Sequence, residues 1–342
     1  MQTKIIALLG AGLTFAAQNL HAQNAGANQL VDTAQQRRQL EQSANASAGD
    51  APELYAGEAS DLGPQSVLKI KPRRWHLEAF GDAQYFYTDN MFLSDHVRQG
   101  ADVLVSTVQA ALVAPPLNVA GGRLASRVGY QHQWFTYGLL DNDLVNISDF
   151  KTGISQAHLV KLNTFDFNAQ TFFGDVSWSR DNWTVTAGFD YRRLLDSGNY
   201  DEFYHEAVPN WGVQKTFNLA PKLTAAAGYQ GDYRFTDSAR PPANFGGDLN
   251  DRTDHSLFAT LNFNACKYAV LQPFYRFQFT HYTAENRDDY LNSFGIALYF
   301  PITKNISLRT FLNYDLLNTD GVFVQSYNKF DAGGGINLSI RF

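Results

Sequence analysis

The stretch SRDNWTVTAGFDYRR (residues 179–193) decides how this chain folds. A polar tetrapeptide suited to a tight turn, Ser179 to Asn182, opens into strict alternation. Val185, Ala187, Phe189 and Tyr191 fall on one face of an extended chain. Thr184, Thr186, Gly188, Asp190 and Arg192 fall on the other, because successive strand side chains point to opposite sides. The first face suits lipid and the second needs water, which is the division of a membrane β-barrel wall.

The segment beginning at Ile306 repeats the pattern, with Leu308, Leu312, Tyr314 and Leu316 set against Ser307, Arg309, Asn313 and Asp315. Between Trp75 and Phe342 twelve such segments can be marked, at approximately 75–88, 101–114, 123–138, 164–178, 183–195, 204–217, 222–236, 253–265, 268–282, 290–300, 305–318 and 329–342. The connections alternate as well. PPLNVAGG, SRDN, LAP, CK and PITKN are short, while those near 89–100, 139–163, 196–203, 237–252, 283–289 and 319–328 are mostly longer and often acidic. Short periplasmic turns and longer outer loops accompany barrels of this kind. The expected fold is therefore all-β, a transmembrane antiparallel up-and-down barrel of twelve strands, with both termini in the periplasm because the strand count is even. Aromatics support the two membrane interfaces. Tyr85, Tyr87, Tyr137, Tyr191, Tyr204, Tyr233, Tyr282, Tyr290 and Tyr314 are expected near the outer loops, and Trp75, Trp178, Trp183, Phe217, Tyr268, Tyr299 and Phe342 near the inner turns.

The N-terminal quarter has a different composition. Basic Met1–Lys4 followed by uncharged Ile5–Ala17 reads as a secretory signal peptide, 1–22, cleaved after Ala22. Its apolar run is shorter than the roughly 20 residues a spanning helix needs. Residues 23–74 are expected to form a periplasmic lead-in, with a weak helix over Asn28–Ser43 and a linker around Gly49–Pro72; 75–342 is the barrel. Leu30, Val31, Ala34 and Leu40 would give that helix a short apolar stripe, and a helix of that length must pack on something to persist.

The C-terminal GGGINLSIRF places Ile336, Leu338, Ile340 and Phe342 at every second position. Together with the signal peptide, this tail resembles the assembly signal of Gram-negative outer-membrane barrel proteins, and YFYTDNMFLSD resembles the opening strand and loop of porin-like members. The resemblance implies an outer-membrane location, contact with lipid and lipopolysaccharide, and reading of Phe342 by the barrel-insertion machinery.

Strand parity assigns Glu78, Asp82, Arg127, Asp166, Asp190, Arg192, Glu206, Asp232, Arg234, Arg276 and Arg309 to the lumen, and Asp315, Asp331 and Arg341 with them. Arg192 and Glu206 should face each other across a hairpin. The signs nearly balance, so no ion preference follows. Gly129, Gly174, Gly188, Gly212, Gly228, Gly295, Gly333 and Gly335 also fall on the expected inner face, either as a band leaving room for solute or for part of 23–74, or as a source of curvature.

No catalytic motif survives inspection. HEAVP at His205 lacks the second His of a zinc motif, and DLNDRTD (248–254) departs from a calcium loop and reads as loop-surface acidity. A net charge of -6 disfavours nucleic acid. The expectation is a porin-like passive channel for small hydrophilic solutes with no cofactor and no metal. The alternatives are a barrel plugged by its own N-terminal segment that docks a periplasmic export partner and, third, a membrane-embedded hydrolase.

Overall fold

A computed structural model describes residues 27–37, 75–95, 98–140, 143–146, 159–239, 246–266, 268–284, 286–321 and 324–342. The expected signal peptide and the linker over 49–72 lie outside these residues.

Twelve strands form the wall: β1 (His76–Thr88), β2 (Ala101–Val113), β3 (Gly122–Tyr137), β4 (Phe167–Arg180), β5 (Trp183–Asp196), β6 (Glu202–Ala220), β7 (Leu223–Ser238), β8 (Arg252–Cys266), β9 (Ala269–Tyr282), β10 (Arg287–Pro301), β11 (Ile306–Thr319) and β12 (Tyr327–Arg341). Each pairs antiparallel with its sequence neighbours, and β1 pairs with both β2 and β12, so the sheet closes. Closure leaves no strand edge to be satisfied by lipid, which offers no hydrogen bonds. At the seam Glu78 stands opposite Arg341 and Thr88 opposite Asp331, and the Phe342 amide adds a last rung, donating to the Leu77 carbonyl at 2.9 Å.

One end of the barrel, here the turn end, carries the five short connections. Its first hairpin is extended by Leu117–Val119, and Ala120 and Gly121 turn the chain with positive φ (50° and 75°), the backbone of a tight hairpin turn. The other end, the loop end, carries the longer connections. The β3–β4 loop holds a small ladder, Leu144–Asn146 with Leu159–Lys161, followed by the 3-10 turn Leu162–Phe165.

The outer wall is apolar and uncovered. Val185, Phe189, Leu257, Phe294, Leu312 and Ile336 are each between 44% and 56% exposed, where a soluble sandwich would bury them. Aromatics mark both rims, Tyr87, Tyr290 and Tyr314 towards the loop end, and Trp75, Trp183, Tyr268 and Phe342 towards the turn end. Four aromatics expected there turn inward instead: Tyr137, Tyr204, Tyr282 and Tyr299 sit on the inner parity of their strands. Two of them have polar partners inside, since the Tyr204 hydroxyl donates to Glu206 at 2.8 Å and the Tyr282 ring lies 3.6 Å beneath the Arg287 guanidinium.

Candidate functional site

The functional region is the lumen, and a helix occupies its loop-end half. This helix spans 27–37, within and slightly ahead of the expected stretch; Leu40 lies outside the described residues. Ala27, Leu30, Val31 and Ala34 recur at helical spacing and are all buried, Val31 completely. They belong to one apolar cluster with the inward side chains Phe86, Val103, Val105, Phe135, Phe167, Ala169 and Leu194. Burying Leu30 and Val31 contributes roughly 3–6 kcal/mol, ample to order a helix that is marginal alone. Met91, Phe92 and Phe165 from two loops pack on the same cluster, with Phe92 and Phe165 edge to face at 5.4 Å, and close it from the loop end.

The opposite face of the helix is polar and meets a charged half-wall. Asp32 lies 3.0 Å from Arg192 and 3.0 Å from Arg234, and Gln35 accepts from Arg192 at 3.0 Å. Gln36 accepts from Arg276 at 3.0 Å. Arg37 pairs with Asp331 at 2.7 Å and stacks over Phe311 at 4.1 Å and Phe86 at 4.5 Å. The helix therefore matches its surroundings side for side. Its direction is also fixed: Gln29 accepts from Tyr327, the first residue of β12 at the loop end, at 2.5 Å, whereas Arg37 reaches Phe311 near mid-barrel. The helix begins at the loop rim and descends.

Most of the side chains assigned to the lumen by parity are brought together around this helix. Arg192 and Glu206 are cross-strand neighbours 2.8 Å apart, and fully buried Glu206 also meets Arg234 at 3.3 Å. Arg234 contacts Asp232 at 3.0 Å and Asp254 at 2.9 Å. A buried charge cluster of this kind is sustained only when each member is paired, since an unmatched buried ion costs several kcal/mol. Asp82 and Arg309 form a separate buried pair at 2.8 Å, and Lys329 bridges Asp315 and Asp331 at 3.3 and 3.4 Å. Glu78 sits at the turn-end mouth with Arg341, at 2.7 Å.

Two assignments are corrected. Gly174 faces outward, because its same-face neighbours Phe172 and Val176 are exposed on the outer wall, 51% and 43%. Asp166 lines no lumen; it follows the 3-10 turn and its carboxylate accepts the Tyr137 amide at 2.8 Å. Both errors have one cause. Phe167, Ala169 and Phe173 carry apolar side chains on the odd face of β4, which reads as the lipid face, yet Phe167 and Ala169 are buried and Phe167 stacks on Phe135 at 4.3 Å. Parity then assigns Asp175 to the wrong side, although it pairs with Arg127 at 2.7 Å inside. Asp254, in the run that reads as loop-surface acidity, is instead buried in the lumen, as is Arg252 beside it at 3.2 Å. Inner parity in β8 was the signal that could have found both.

The other glycines do face inward, but they leave no open band. Gly129, Gly228, Gly295 and Gly333 stand directly opposite Phe173, Phe258, Phe274 and Phe86 on the neighbouring strand. A Cβ on any of them would come within 2.6 Å of that phenylalanine's side chain. At Gly129, Gly228 and Gly295 the approaching atoms are ring carbons, so a ring folds across the glycine and restores packing to a bare strand position, whereas at Gly333 they are the Phe86 Cβ and Cα. Gly188, Gly212 and Gly335 are covered by Asn210, Thr186 and the backbone of Ala83 in the same way.

Towards the turn end of the helix the lumen opens into a water-accessible cavity of about 500 Å³. Its wall runs from Phe80 and Gln109 across to Phe274 and Arg276, and Asp32, Gln35 and Gln36 of the helix form one side. No cluster suited to a metal ion occurs among the described residues.

No protein-family model matches the sequence, and no curated protein matches it. Solved structures similar to it include an outer membrane channel from Pseudomonas putida, with a TM-score of 0.47 and 11% identity over 82% of this chain and 100% of that one. The beta domain of the Bordetella autotransporter BrkA superposes with a TM-score of 0.41 and 13% identity, over 78% of this chain and 100% of that one. The NanC porin does so with a TM-score of 0.40 and 12% identity, over 75% and 98%. The described strands of this chain close into a twelve-strand antiparallel β-barrel.

Proposed function

We propose that the chain forms an outer-membrane channel for small hydrophilic solutes and that its own helix, 27–37, holds the channel closed. One observation carries this reading: an amphipathic helix lies in the lumen with its apolar face on an apolar half-wall and its polar face on a charged one. Below it the lumen opens into a cavity of about 500 Å³ lined by charged, amide and aromatic side chains, which gives a hydrophilic solute both room and partners. Twelve strands also imply a bore narrower than that of sixteen-stranded porins. In this reading the short turns and Phe342 lie in the periplasm and the longer loops outside, so residue 27 is at the outward end of the plug rather than in the periplasm. Lipid and lipopolysaccharide surround the wall, and the insertion machinery reads the tail. No chemistry and no cofactor are assigned.

Planar-bilayer recording tests the proposal. The intact protein should be silent, and a barrel lacking 27–37 should conduct in steady single-channel steps. Steady conductance of the intact protein would remove the plug. Silence of a deletion variant that is folded by circular dichroism and heat-shifted gel mobility would remove the channel and favour a structural or export-partner barrel.

A further inference from the structure

We propose that the cavity below the helix is a binding site for a neutral oligosaccharide, which deepens the channel reading by naming the solute class. The charges that line the cavity balance in sign, four arginines against four aspartates, and six of them are paired. Arg127 is taken by Asp175 at 2.7 Å, Arg192 by Asp32 and Arg234 by Asp232, each at 3.0 Å. Arg276 is held by Gln36 at 3.0 Å and Ser256 at 3.2 Å. Only Arg276 and Asp190 stand without an ion pair among the described residues, and their opposite signs leave the cavity with no net charge to favour an anion or a cation.

The polar groups left over are mostly uncharged. The side chains of Gln109, Gln214 and Gln230 line the cavity and make no hydrogen bond to another described residue, and Asp190 contributes a carboxylate with no ion pair among them. Each amide offers both donors and an acceptor, and a carboxylate accepts, which together match the hydroxyls of a sugar. The apolar part of the lining complements them. Phe173, Phe258 and Phe274, each folded over a glycine of the next strand, all line the cavity, as does Phe80. The first three rings lie against the wall over the glycines they cover, and a ring face is suited to the apolar C–H face of a pyranose. A volume of about 500 Å³ lies within the range of small-ligand pockets and takes a short oligosaccharide.

Titration calorimetry on the full-length protein in detergent micelles tests this. The probes are the neutral trisaccharides maltotriose, cellotriose and xylotriose, with trigalacturonate and the chitosan trimer as anionic and cationic counterparts of similar size. At least one neutral probe should bind with a Kd about tenfold below both charged ones. The double variant Gln214→Leu, Gln230→Leu, checked for heat-shifted mobility, should weaken that binding about fivefold or more. Binding of a charged probe as tight as the neutral one, no binding by any neutral probe, or an unchanged Kd in the double variant would each overturn the site. Conductance of the helix-free barrel is read separately. Neutral-sugar binding without conductance would leave the site and remove the channel, and conductance without binding would do the reverse.

Discussion

Gly333 and Gly174 both interrupt strands, yet they meet opposite surroundings. A Cβ on Gly333 would lie 2.3 Å from the Phe86 Cβ and 2.4 Å from the Tyr85 carbonyl, and neither a backbone oxygen nor a Cβ can swing away. At Gly174 the nearest atom would be 3.9 Å off. Gly333→Ala should therefore destabilise the barrel by about 1–3 kcal/mol, the usual cost of overpacking, while Gly174→Ala should be neutral or slightly stabilising. Urea midpoints of the refolded proteins would check the pair, and equal shifts would contradict the opposite surroundings assigned to the two glycines. At this scale the sequence showed where the inward glycines were but not what covered them. Periodicity reports which face a residue occupies, and whether that face holds water or a neighbour's ring depends on the partner strand's register.

Among the elements, β5 and β11 were legible almost residue by residue, because their apolar and polar side chains separate cleanly onto two faces. β4 was not, because it must be apolar outside for lipid and apolar inside for the helix. The helix itself was half legible. Leu30, Val31 and Ala34 announced a buried stripe, but the wall that covers it is indistinguishable in sequence from a lipid-facing wall. The stripe gives a test at this scale. Val31→Asp places a carboxylate where the side chain has no access to water, at a cost of several kcal/mol, more than the stripe can offset. The helix should leave the lumen while the barrel stays assembled, so bilayer recordings should show conductance that wild type lacks. Asp32→Asn, which keeps the hydrogen-bonding shape but removes the charge facing Arg192 and Arg234, should give intermittent opening.

For the whole molecule, strand number, closure and the end carrying the short turns followed from alternation alone, since those features repeat and a local misreading does not propagate. The occupied lumen followed only as an alternative, because the sequence marks the helix's buried stripe but not the wall that covers it. The seam offers one prediction: deleting Phe342 removes a single rung, about 1 kcal/mol, so a purified barrel should melt nearly as wild type does. Its yield in outer membranes should nevertheless fall sharply, as expected of a tail read during insertion; equal yields would leave Phe342 a packing residue only. The central claim, that the helix resides in the lumen, is tested most directly by thiol labelling of Val31→Cys with a water-soluble maleimide, the exposed Cys266 serving as internal standard. The account predicts one labelled thiol in the native barrel and two after unfolding, and two labelled thiols in the native barrel would contradict it.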